Sequence, residues 1–361
     1  GDIMTTSNGF EFNPEGKRTL LSIDGGGMRG VIPVMMLMVL EERTGKPAYE
    51  LFDMVAGTST GAIIAAGLGM GLSAHEMLDQ VYRDKLPNAF GRRDLGFWLR
   101  YVFTRRLRYL YPLEPFIEAL GPLAKGRRVA DLDKAIVLLT VKDLRTSNTY
   151  YIVNAGPGAD TFASWPVTGA VAASGAATLY FPPVLGNLVD GGVGVYGNPC
   201  LAASIEAVDY IGFEPENTLH ISLGTGFRSH ALADGQGTNY SALNWVRYVI
   251  SESLGEAALQ QAFNTRAIYG QRGMDFRRYN PFLDRLSVET QLNVDTGGVD
   301  PNGLSLDAIN PQQIDLMERI ARAYAEKIDW TRSNVMPWDT VGGHPPLRIA
   351  AVDWSGSPYM I

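Results

Sequence analysis

Short apolar runs that end in glycine-rich turns, with apolar helices after them, set the pattern of the first two thirds of the chain. The length and aliphatic composition of the runs predict buried strands. The predicted strands are 18–24, 54–56, 135–143, 187–190 and 218–223, and polar residues followed by Tyr150-Tyr151-Ile152-Val153 come after 135–143. Helical patterns follow at 31–43, after residue 60 and at 167–177. This order predicts an α/β fold with a mostly parallel central sheet, whose functional loops lie at the carboxyl ends of the strands.

The pattern changes beyond residue 228, where helical periodicity becomes dominant. No internal repeat or low-complexity linker marks the sequence there. We therefore predict one α/β core over 18–228 and a mainly helical C-terminal extension over 229–361 that packs on it. Residues 1–17 are predicted to be a disordered, tag-derived N-terminus, because Gly1-Asp2-Ile3 precede Met4 and polar residues follow.

Composition narrows the class of protein. Of the 361 residues, 46% are hydrophobic and 19% are charged, as in a globular enzyme. The net charge of -7 argues against general nucleic-acid binding. The single cysteine, Cys200, excludes an internal disulfide framework and a cysteine-based metal cluster. Because the sequence shows no secretion signal, and the apolar run 55–72 contains glycine, serine and threonine, we expect a cytoplasmic protein without a membrane span.

The turn Gly57-Thr58-Ser59-Thr60-Gly61 carries a candidate nucleophile. A serine on a sharp turn between a strand and a helix is presented at the amino end of that helix, where the helix dipole favours developing negative charge. Gly57 and Gly61 lack the side chains that would collide with the sheet and the helix. Ser59 is therefore predicted to be a catalytic nucleophile. The alternative is a capping serine in an ordinary glycine-rich turn.

The first glycine-rich turn has two interpretations. Gly25–Gly30 matches Gly-x-Gly-x-x-Gly between a strand and a helix, which is typical of a dinucleotide-binding fold. That fold needs a carboxylate at the end of the second strand, whereas Asp53 begins its strand and belongs at the opposite edge of the sheet. The consecutive amides of Gly25, Gly26 and Gly27 fit an oxyanion hole better, in which each donor contributes about 3 kcal/mol to the transition state.

A serine nucleophile needs a base, and the histidines offer no clear one. The histidines are His75, His220, His230 and His344. His220 alternates with apolar residues in a predicted strand, which favours a hydrogen-bonded core imidazole. His344 is supported as a triad member only by its place after Asp190 in the chain. Asp190 ends a predicted strand and precedes two glycines, so it is the better candidate; its alternative role is to cap a turn.

Arginine and aromatic residues alternate between Tyr82 and Tyr111. Such a segment is suited to an anionic membrane surface or to a phosphorylated ligand. The alternative is a solvated helical face with its aromatic side chains in the core, because arginine stems commonly lie along apolar surface.

Three motifs in this order resemble those of the patatin-like phospholipase family. They are Asp24-Gly25-Gly26-Gly27-Met28-Arg29-Gly30, Gly57-Thr58-Ser59-Thr60-Gly61, and Asp190-Gly191-Gly192 followed by Asn198-Pro199. The segments Ala172–Pro183 and Ser222–Gly226 also look like that family, so the resemblance covers about residues 18–226. The chain departs from the family at Ala177, where proline is frequent, and at Tyr196-Gly197, where small or amide residues are usual.

The resemblance implies a three-layer α/β/α fold and a phospholipase A type acyl hydrolase that cleaves fatty-acyl esters of membrane glycerophospholipids. Ser59 would attack the ester and form an acyl-serine, Asp190 would be the general base, and Gly25–Gly27 would form the oxyanion hole. A carboxylate is a weak base in water, so Asp190 is expected to be partly desolvated with a raised pKa. Arg29 would bind a lipid phosphate; the alternative is an ion pair with Asp24 or another acid.

The resemblance further implies neither a metal nor a cofactor, and it implies transient contact with a membrane surface. Similar bacterial proteins include antiphage effectors of the CapV group, which would add a cyclic-nucleotide activator. Residues 229–361 would then serve regulation or the formation of a homo-oligomer. Two other hypotheses stay open: a non-catalytic storage or ligand-sensing protein on the same fold, and a dinucleotide-dependent enzyme.

Overall fold

The computed structural model describes residues 10–90, 109–178, 180–228, 232, 235–337 and 355. The strands in this part of the chain are β1 Arg18–Ile23, β2 Met54–Gly57, β3 Ile136–Asp143, β4 Asn148–Val153, β5 Leu188–Asp190, β6 Thr218–Leu223 and β7 Asp275–Tyr279. The α-helices are Val31–Thr44, Thr60–Gly69, Ala74–Met77, Leu86–Ala89, Glu114–Ala124, Ala159–Phe162, Val167–Gly175, Cys200–Ile205, Ala242–Ile268 and Pro311–Lys327.

The strands form one sheet in the order β4-β3-β2-β1-β6-β7, and β5 pairs with β3 off this path. Neighbouring strands from β3 to β7 along this order are parallel, whereas β4 and β5 are antiparallel to β3. Parallel strands direct their carboxyl ends to one edge, so the turns after β1, β2 and β6 meet there. The predicted α/β fold with a mostly parallel sheet is confirmed.

The short strand β5 continues the line of β2. β2 pairs with Ile136–Leu139 of β3, and β5 pairs with Val141–Asp143 of the same strand. Because β4 occupies the other side of β3, both β2 and β5 lie on one side, end to end. This arrangement places Asp190, at the end of β5, just beyond Gly57, at the end of β2.

Helices cover both faces of the sheet. On one face, Leu21 and Ile23 of β1 belong to a large apolar core with the helices Val31–Thr44, Thr60–Gly69 and Pro311–Lys327. The helix Thr60–Gly69 is buried along its whole length, which explains the apolar run 55–72 without a membrane span. Among the helices of the described residues, none is both long enough and apolar enough to cross a membrane.

A smaller core lies on the other face. Leu20, Met54 and Leu138 pack there against Ala203 and Phe213, which lie in and after the helix Cys200–Ile205. Two helical layers therefore enclose the sheet, as the predicted three-layer architecture requires.

The C-terminal part contributes a strand as well as helices. Ala242–Ile268 and Pro311–Lys327 are the helices expected beyond residue 228, but β7 pairs in parallel with β6 and extends the sheet. The strand reads DFRRY, so it lacks the aliphatic run that identifies the others. Its Arg277 is buried because Asp275 and backbone carbonyls compensate its charge. The sheet therefore does not end at the predicted boundary.

Order begins earlier in the chain than predicted. Phe12 is 5% exposed, and its ring centroid lies 6.0 Å from that of Phe52. Asn13 closes a turn on Lys17 with hydrogen bonds of 2.7 and 3.0 Å. The prediction of disorder over 1–17 is wrong for residues 10–17. One aromatic side chain, Phe12, anchors this segment, and a single buried residue gives no periodic hydrophobic pattern in the sequence. Residues 1–9 lie outside the described part.

Candidate active site

Ser59 lies on the tight turn between β2 and the helix Thr60–Gly69. Its backbone has φ 57° and ψ -120°, and such a positive φ is unfavourable for a residue with a side chain. The Ser59 N–H donates to Ser174 Oγ at 3.0 Å, which ties the strained backbone to the helix Val167–Gly175. The half-buried Ser59 thus occupies the amino end of a buried helix, as a nucleophile elbow requires.

Two glycines allow this turn to pack closely against its neighbours. A Cβ on Gly57 would lie 2.0 Å from the Gly61 carbonyl oxygen, and a Cβ on Gly61 would lie 2.2 Å from the Ile23 carbonyl oxygen. Both obstacles are backbone atoms, which cannot rotate away. A side chain at either position would therefore displace the turn that carries Ser59.

Thr58 fixes the turn from the side of β3. Its hydroxyl lies 2.6 Å from Thr140 Oγ1 and donates to the Tyr196 carbonyl oxygen at 2.6 Å. Tyr196 departs from the family pattern, but Thr58 binds its backbone carbonyl. This hydrogen bond therefore does not depend on the side chain at position 196. The contact between Thr58 and β3 was not part of the sequence prediction, because strand pairing alone brings these residues together.

Asp190 reaches Ser59 at the end of β5. Its side chain is 7% exposed, and Oδ1 accepts a hydrogen bond from the Gly192 N–H at 2.7 Å. Burial raises the pKa of Asp190 to about 6, although hydrogen bonds from Gly192 and from the Ser59 hydroxyl act in the opposite direction. In the described part of the chain, no cation contributes to this shift. The carboxylate is therefore close to Ser59, desolvated and without an ion pair.

The first glycine-rich turn packs directly on Ser59. A Cβ on Gly25 would lie 3.2 Å from Ser59 Cβ. The Gly25 N–H already donates to the Gly197 carbonyl oxygen at 2.8 Å. None of the backbone hydrogen bonds between described residues uses the N–H of Gly26 or of Gly27. Gly25 therefore lies by the nucleophile with its amide engaged by Gly197, whereas Gly26 packs against Thr225 and Gly27 against the Leu306 backbone.

Arg29 lies beside this turn without a carboxylate of its own. Its guanidinium donates from Nη1 to the Gly226 carbonyl oxygen at 3.1 Å, and its buried Nε has no hydrogen-bond partner in the described part of the chain. Burial, with Arg228 nearby, lowers the pKa of Arg29 to about 10. Asp24, the acid named in the alternative prediction, forms its direct ion pair with Arg278, although its charge also attracts Arg29 and opposes the lowering of the Arg29 pKa.

The ion pair between Asp24 and Arg278 lies directly before the first glycine-rich turn in the chain and stabilises it. Both side chains are buried, and Arg278 donates to both carboxylate oxygens, with Nη1 to Oδ1 at 2.7 Å. Arg278 also donates to Ser222 Oγ at 2.9 Å. This pair links β7 to the residue after β1. It was missed in the sequence because Arg278 stands 254 positions away in a strand that the pattern did not identify.

The histidines do not supply a base in the described part of the chain. His220 is buried, with Nδ1 2.9 Å from Ser204 Oγ and Nε2 2.8 Å from Ser22 Oγ. Burial, with Arg278 nearby, lowers the pKa of His220 to about 3, so the predicted core imidazole is confirmed. His75 lies at the surface, 3.4 Å from Asp79. His230 and His344 lie outside the described residues.

Asp53 occupies the wrong end of the sheet for a ribose ligand. It precedes β2 and accepts a hydrogen bond from the Thr19 N–H at 2.7 Å, near the start of β1. Gly25–Gly30 follows the other end of β1. The dinucleotide interpretation therefore lacks the carboxylate that it needs.

Most of the arginine and aromatic segment, residues 91–108, lies outside the described residues. Its described ends belong to the core. Tyr82 is buried with its hydroxyl against Thr60, and buried Tyr111 packs against Phe90 and Phe181 at centroid distances of 5.6 and 6.0 Å. These ends fit the alternative in which the aromatic side chains are core residues.

Comparison with known proteins agrees with this geometry. The family model described as patatin-like phospholipase matches residues 21–204, which contain Ser59, Asp190 and the first glycine-rich turn. The chain belongs to the patatin-like phospholipase family. Patatin-04/09 of Solanum tuberosum is 24% identical to it over 371 residues, covering 90% of this chain and 88% of the potato protein.

Other relatives are matched over shorter stretches. The mouse 85/88 kDa calcium-independent phospholipase A2 is 31% identical over 198 residues, and the Caenorhabditis elegans intracellular phospholipase A2 is 43% identical over 76 residues. These matches cover 53% and 21% of this chain. The chain spans 24% of the mouse protein and 7% of the nematode protein.

Solved structures to which the chain shows some similarity include human GIVD cytosolic phospholipase A2 bound to methyl gamma-linolenyl fluorophosphonate. The comparison gives a TM-score of 0.42 at 11% identity, and the match covers 85% of this chain and 57% of the human protein chain. VipD from Legionella pneumophila gives a TM-score of 0.36 at 13% identity, covering 84% of this chain and 67% of that one.

Proposed function

We propose that this patatin-like chain is a serine acyl hydrolase of the phospholipase A type, which acts through Ser59 and Asp190 without a histidine. The observation that carries the proposal is the contact between a strained serine and a buried carboxylate with a pKa of about 6. A carboxylate in water, with a pKa of about 4, is a weak base. At a pKa of about 6, Asp190 is a stronger base and is still ionised at neutral pH. The names of the mouse and nematode relatives, both phospholipases A2, support the substrate class.

In the first half of the reaction, Asp190 takes the Ser59 proton as Oγ attacks the carbonyl carbon of a fatty-acyl ester. The amides of Gly26 and Gly27 donate to the oxyanion, each contributing about 3 kcal/mol to the transition state. When the intermediate collapses, the ester C–O bond breaks and the leaving alkoxide takes the proton from Asp190. The products of this half are a lysophospholipid and an acyl-Ser59 ester.

In the second half, water replaces the serine as nucleophile. Asp190 takes a proton from the water while the water oxygen attacks the acyl-Ser59 carbonyl carbon. The Ser59–acyl bond then breaks, Ser59 recovers its proton from Asp190, and the fatty acid leaves. Each half begins and ends with ionised Asp190. The pair of Ser59 and Asp190, the proposed dyad, is therefore regenerated without another proton carrier.

Positive charge beside the first glycine-rich turn supports a phosphate-bearing substrate. Among the described residues no acid forms a direct ion pair with Arg29, since Asp24 pairs with Arg278, and Arg228 is near enough to help lower the Arg29 pKa. Arg228 Nε donates to the Asn302 carbonyl oxygen at 2.8 Å, which holds it there. The two neighbouring positive charges repel each other, and a bound anion would offset this repulsion. We therefore assign Arg29, with Arg228 beside it, to the phosphodiester of a glycerophospholipid.

Contact with a membrane surface is proposed through an apolar rim on the Asp190 side of the sheet. The rim consists of the exposed side chains Leu144, Leu185, Val193 and Val195. The Leu144 N–H donates to the Asn187 carbonyl oxygen at 2.9 Å, which joins the turns after β3 and before β5. Leu185 is 86% exposed and has φ 50°, so neither burial nor backbone geometry favours a leucine there. Insertion into lipid would stabilise it.

A peripheral location, activation by a cyclic nucleotide and assembly into a homo-oligomer stay predictions. The cytoplasmic location expected from the sequence is likewise a prediction.

The experiment that tests the function combines a fluorophosphonate probe with phospholipid vesicles. We expect the probe to label Ser59, and we expect hydrolysis to release fatty acid and lysophospholipid. Both should be lost in Ser59→Ala and strongly reduced in Asp190→Asn, whereas His220→Gln should keep most of the activity when its fold is intact by circular dichroism. A native protein that is neither labelled nor active, even with candidate activators and membranes, would favour the storage or ligand-sensing hypothesis. A cofactor-dependent absorbance change would favour the dinucleotide hypothesis.

A further inference from the structure

A cavity of about 260 Å³ lies beside the edge strand β4. Its walls come from β4, from residues 157–162 and from the π-helical turn Glu206–Ile211. Four aromatic residues line it, Tyr150, Tyr151, Phe162 and Tyr210, together with Glu206. Neither Ser59 nor Asp190 contributes to this lining. The cavity is therefore a site separate from the dyad, and π-helical turns are frequent at functional sites.

Glu206 is a buried acid without a partner. It is 9% exposed, and no hydrogen bond or ion pair joins its carboxylate to the described part of the chain. Three other buried acids, Asp24, Asp143 and Asp275, each have an arginine partner. Burial raises the pKa of Glu206, because nothing offsets the loss of solvent. A cation in the cavity would supply the missing partner.

The other walls of the cavity restrict which cation fits. The described residues that line it include no lysine or arginine, so the carboxylate of Glu206 would repel an anionic ligand such as a nucleotide phosphate. A primary ammonium group has three N–H donors that need acceptors, whereas a quaternary ammonium group has none. Aromatic faces attract quaternary ammonium groups, and a carboxylate adds a compensating charge. We propose that the cavity at Glu206 binds a methylated ammonium group, as in choline.

The cavity is connected to the nucleophile turn through Tyr151. The Tyr151 ring meets that of Tyr196 edge to face, with the centroids 5.5 Å apart. The Tyr196 carbonyl oxygen accepts the hydrogen bond from Thr58, the residue before Ser59. We therefore expect an occupant to change hydrolysis at Ser59. This effect rests on the proposed function, whereas binding in the cavity does not.

The test is calorimetric titration of the Ser59→Ala protein with tetramethylammonium chloride and with choline chloride. Sodium chloride serves as the ionic-strength control. We expect saturable binding of one cation per chain, weakened at least about tenfold by Glu206→Gln, because the ion pair is lost while the shape is kept. This variant should fold, since it removes an unpaired buried charge. Tyr151→Phe should keep the affinity, and Glu216→Gln, an exposed acid, should not change it.

Two further arms identify the source of the ammonium group and check its chemistry. Sedimentation with phosphatidylcholine vesicles that depends on Glu206 would make a lipid headgroup the source, and binding of free choline alone would make it a small solute. Affinity should rise with pH as Glu206 ionises. The proposal is overturned if neither ammonium salt binds, if Glu206→Gln binds equally well, or if N-acetyl-lysine amide or N-acetyl-arginine amide binds more tightly than tetramethylammonium. Loss of hydrolysis alone would instead count against the proposed function.

Discussion

Two buried carboxylates at the same edge of the sheet have opposite surroundings. Asp24 follows β1 and is held by Arg278 through both of its oxygens. Asp190 ends β5 and, within the described residues, accepts hydrogen bonds from two neutral groups, the Gly192 N–H and the Ser59 hydroxyl. Their exposed fractions, 6% and 7%, are almost equal. Burial raises the pKa of both carboxyls, and among the described residues an arginine opposes the rise at Asp24 but not at Asp190.

The difference has a cost in stability. The pKa of Asp190 rises from 3.8 to about 6, which corresponds to about 3 kcal/mol of free energy of unfolding lost when the group is ionised. At Asp24, the arginine opposes this cost, although burial still raises the pKa of that carboxyl. A cost in stability at the proposed active site is expected where a base has to be kept reactive.

The largest expected effect is on activity at Asp190. Asp190→Asn removes the proposed base while keeping the shape and the acceptor for the Gly192 N–H, so kcat/KM for a soluble short-chain ester should fall about 1000-fold. The initial rate of ester hydrolysis measures this. Retention of activity within tenfold would show that another group accepts the Ser59 proton.

Breaking the structural pair should destabilise the fold. Arg278→Met leaves Asp24 buried without its cation, so the free energy of unfolding in urea should fall by about 3–5 kcal/mol. Combining Arg278→Met with Asp24→Asn should recover part of this loss, because the unpaired charge is gone. If Arg278→Met costs less than about 1 kcal/mol, the pair does not compensate Asp24 as described here.

The same comparison predicts a gain in stability at the active site. Asp190→Asn should raise the free energy of unfolding by up to about 3 kcal/mol at pH 8, where native Asp190 is ionised in the folded and unfolded states. The advantage should shrink as pH falls from about 6 to about 4 and vanish below that, because Asp190 is then protonated in both states. Equal stability of the two proteins at pH 8 would contradict the raised pKa.

The smallest effect concerns backbone strain at Ser59. Ser59→Gly should be about 1 kcal/mol more stable than Ser59→Ala, because glycine tolerates the positive φ. Ser204, inside the helix Cys200–Ile205, is the matched control: there glycine should be the less stable replacement. Thermal unfolding of the four variants measures the difference. The same order at both positions would argue against strain at Ser59.

Features that depend on neighbouring residues could be predicted from the sequence. The glycines around Ser59 and the aliphatic runs of the strands act locally, so the elbow and most of the sheet follow from them. The nearness of Asp190 to Ser59 depends on β5 pairing with β3, which no local pattern specifies. The resemblance to a family provided that expectation.

Other features depend on distant partners and were missed. Arg278 lies in β7, whose charged sequence hides a buried strand. Ser174 holds the Ser59 amide through a side chain that reads as one small residue among several. The engagement of the Gly25 amide by Gly197 is likewise a contact between distant loops. In each case the partners are far apart in the sequence, and only the folded structure brings them together.

The most direct test of Asp190 as the base is the pH dependence of Ser59 phosphonylation. The rate of single labelling by a fluorophosphonate, followed by intact mass from pH 4 to 8, should rise with one apparent pKa near 6 in the native protein. In Asp190→Asn the rate should be low, without this inflection. An unchanged rate and inflection in Asp190→Asn would contradict the assignment of Asp190 as the base.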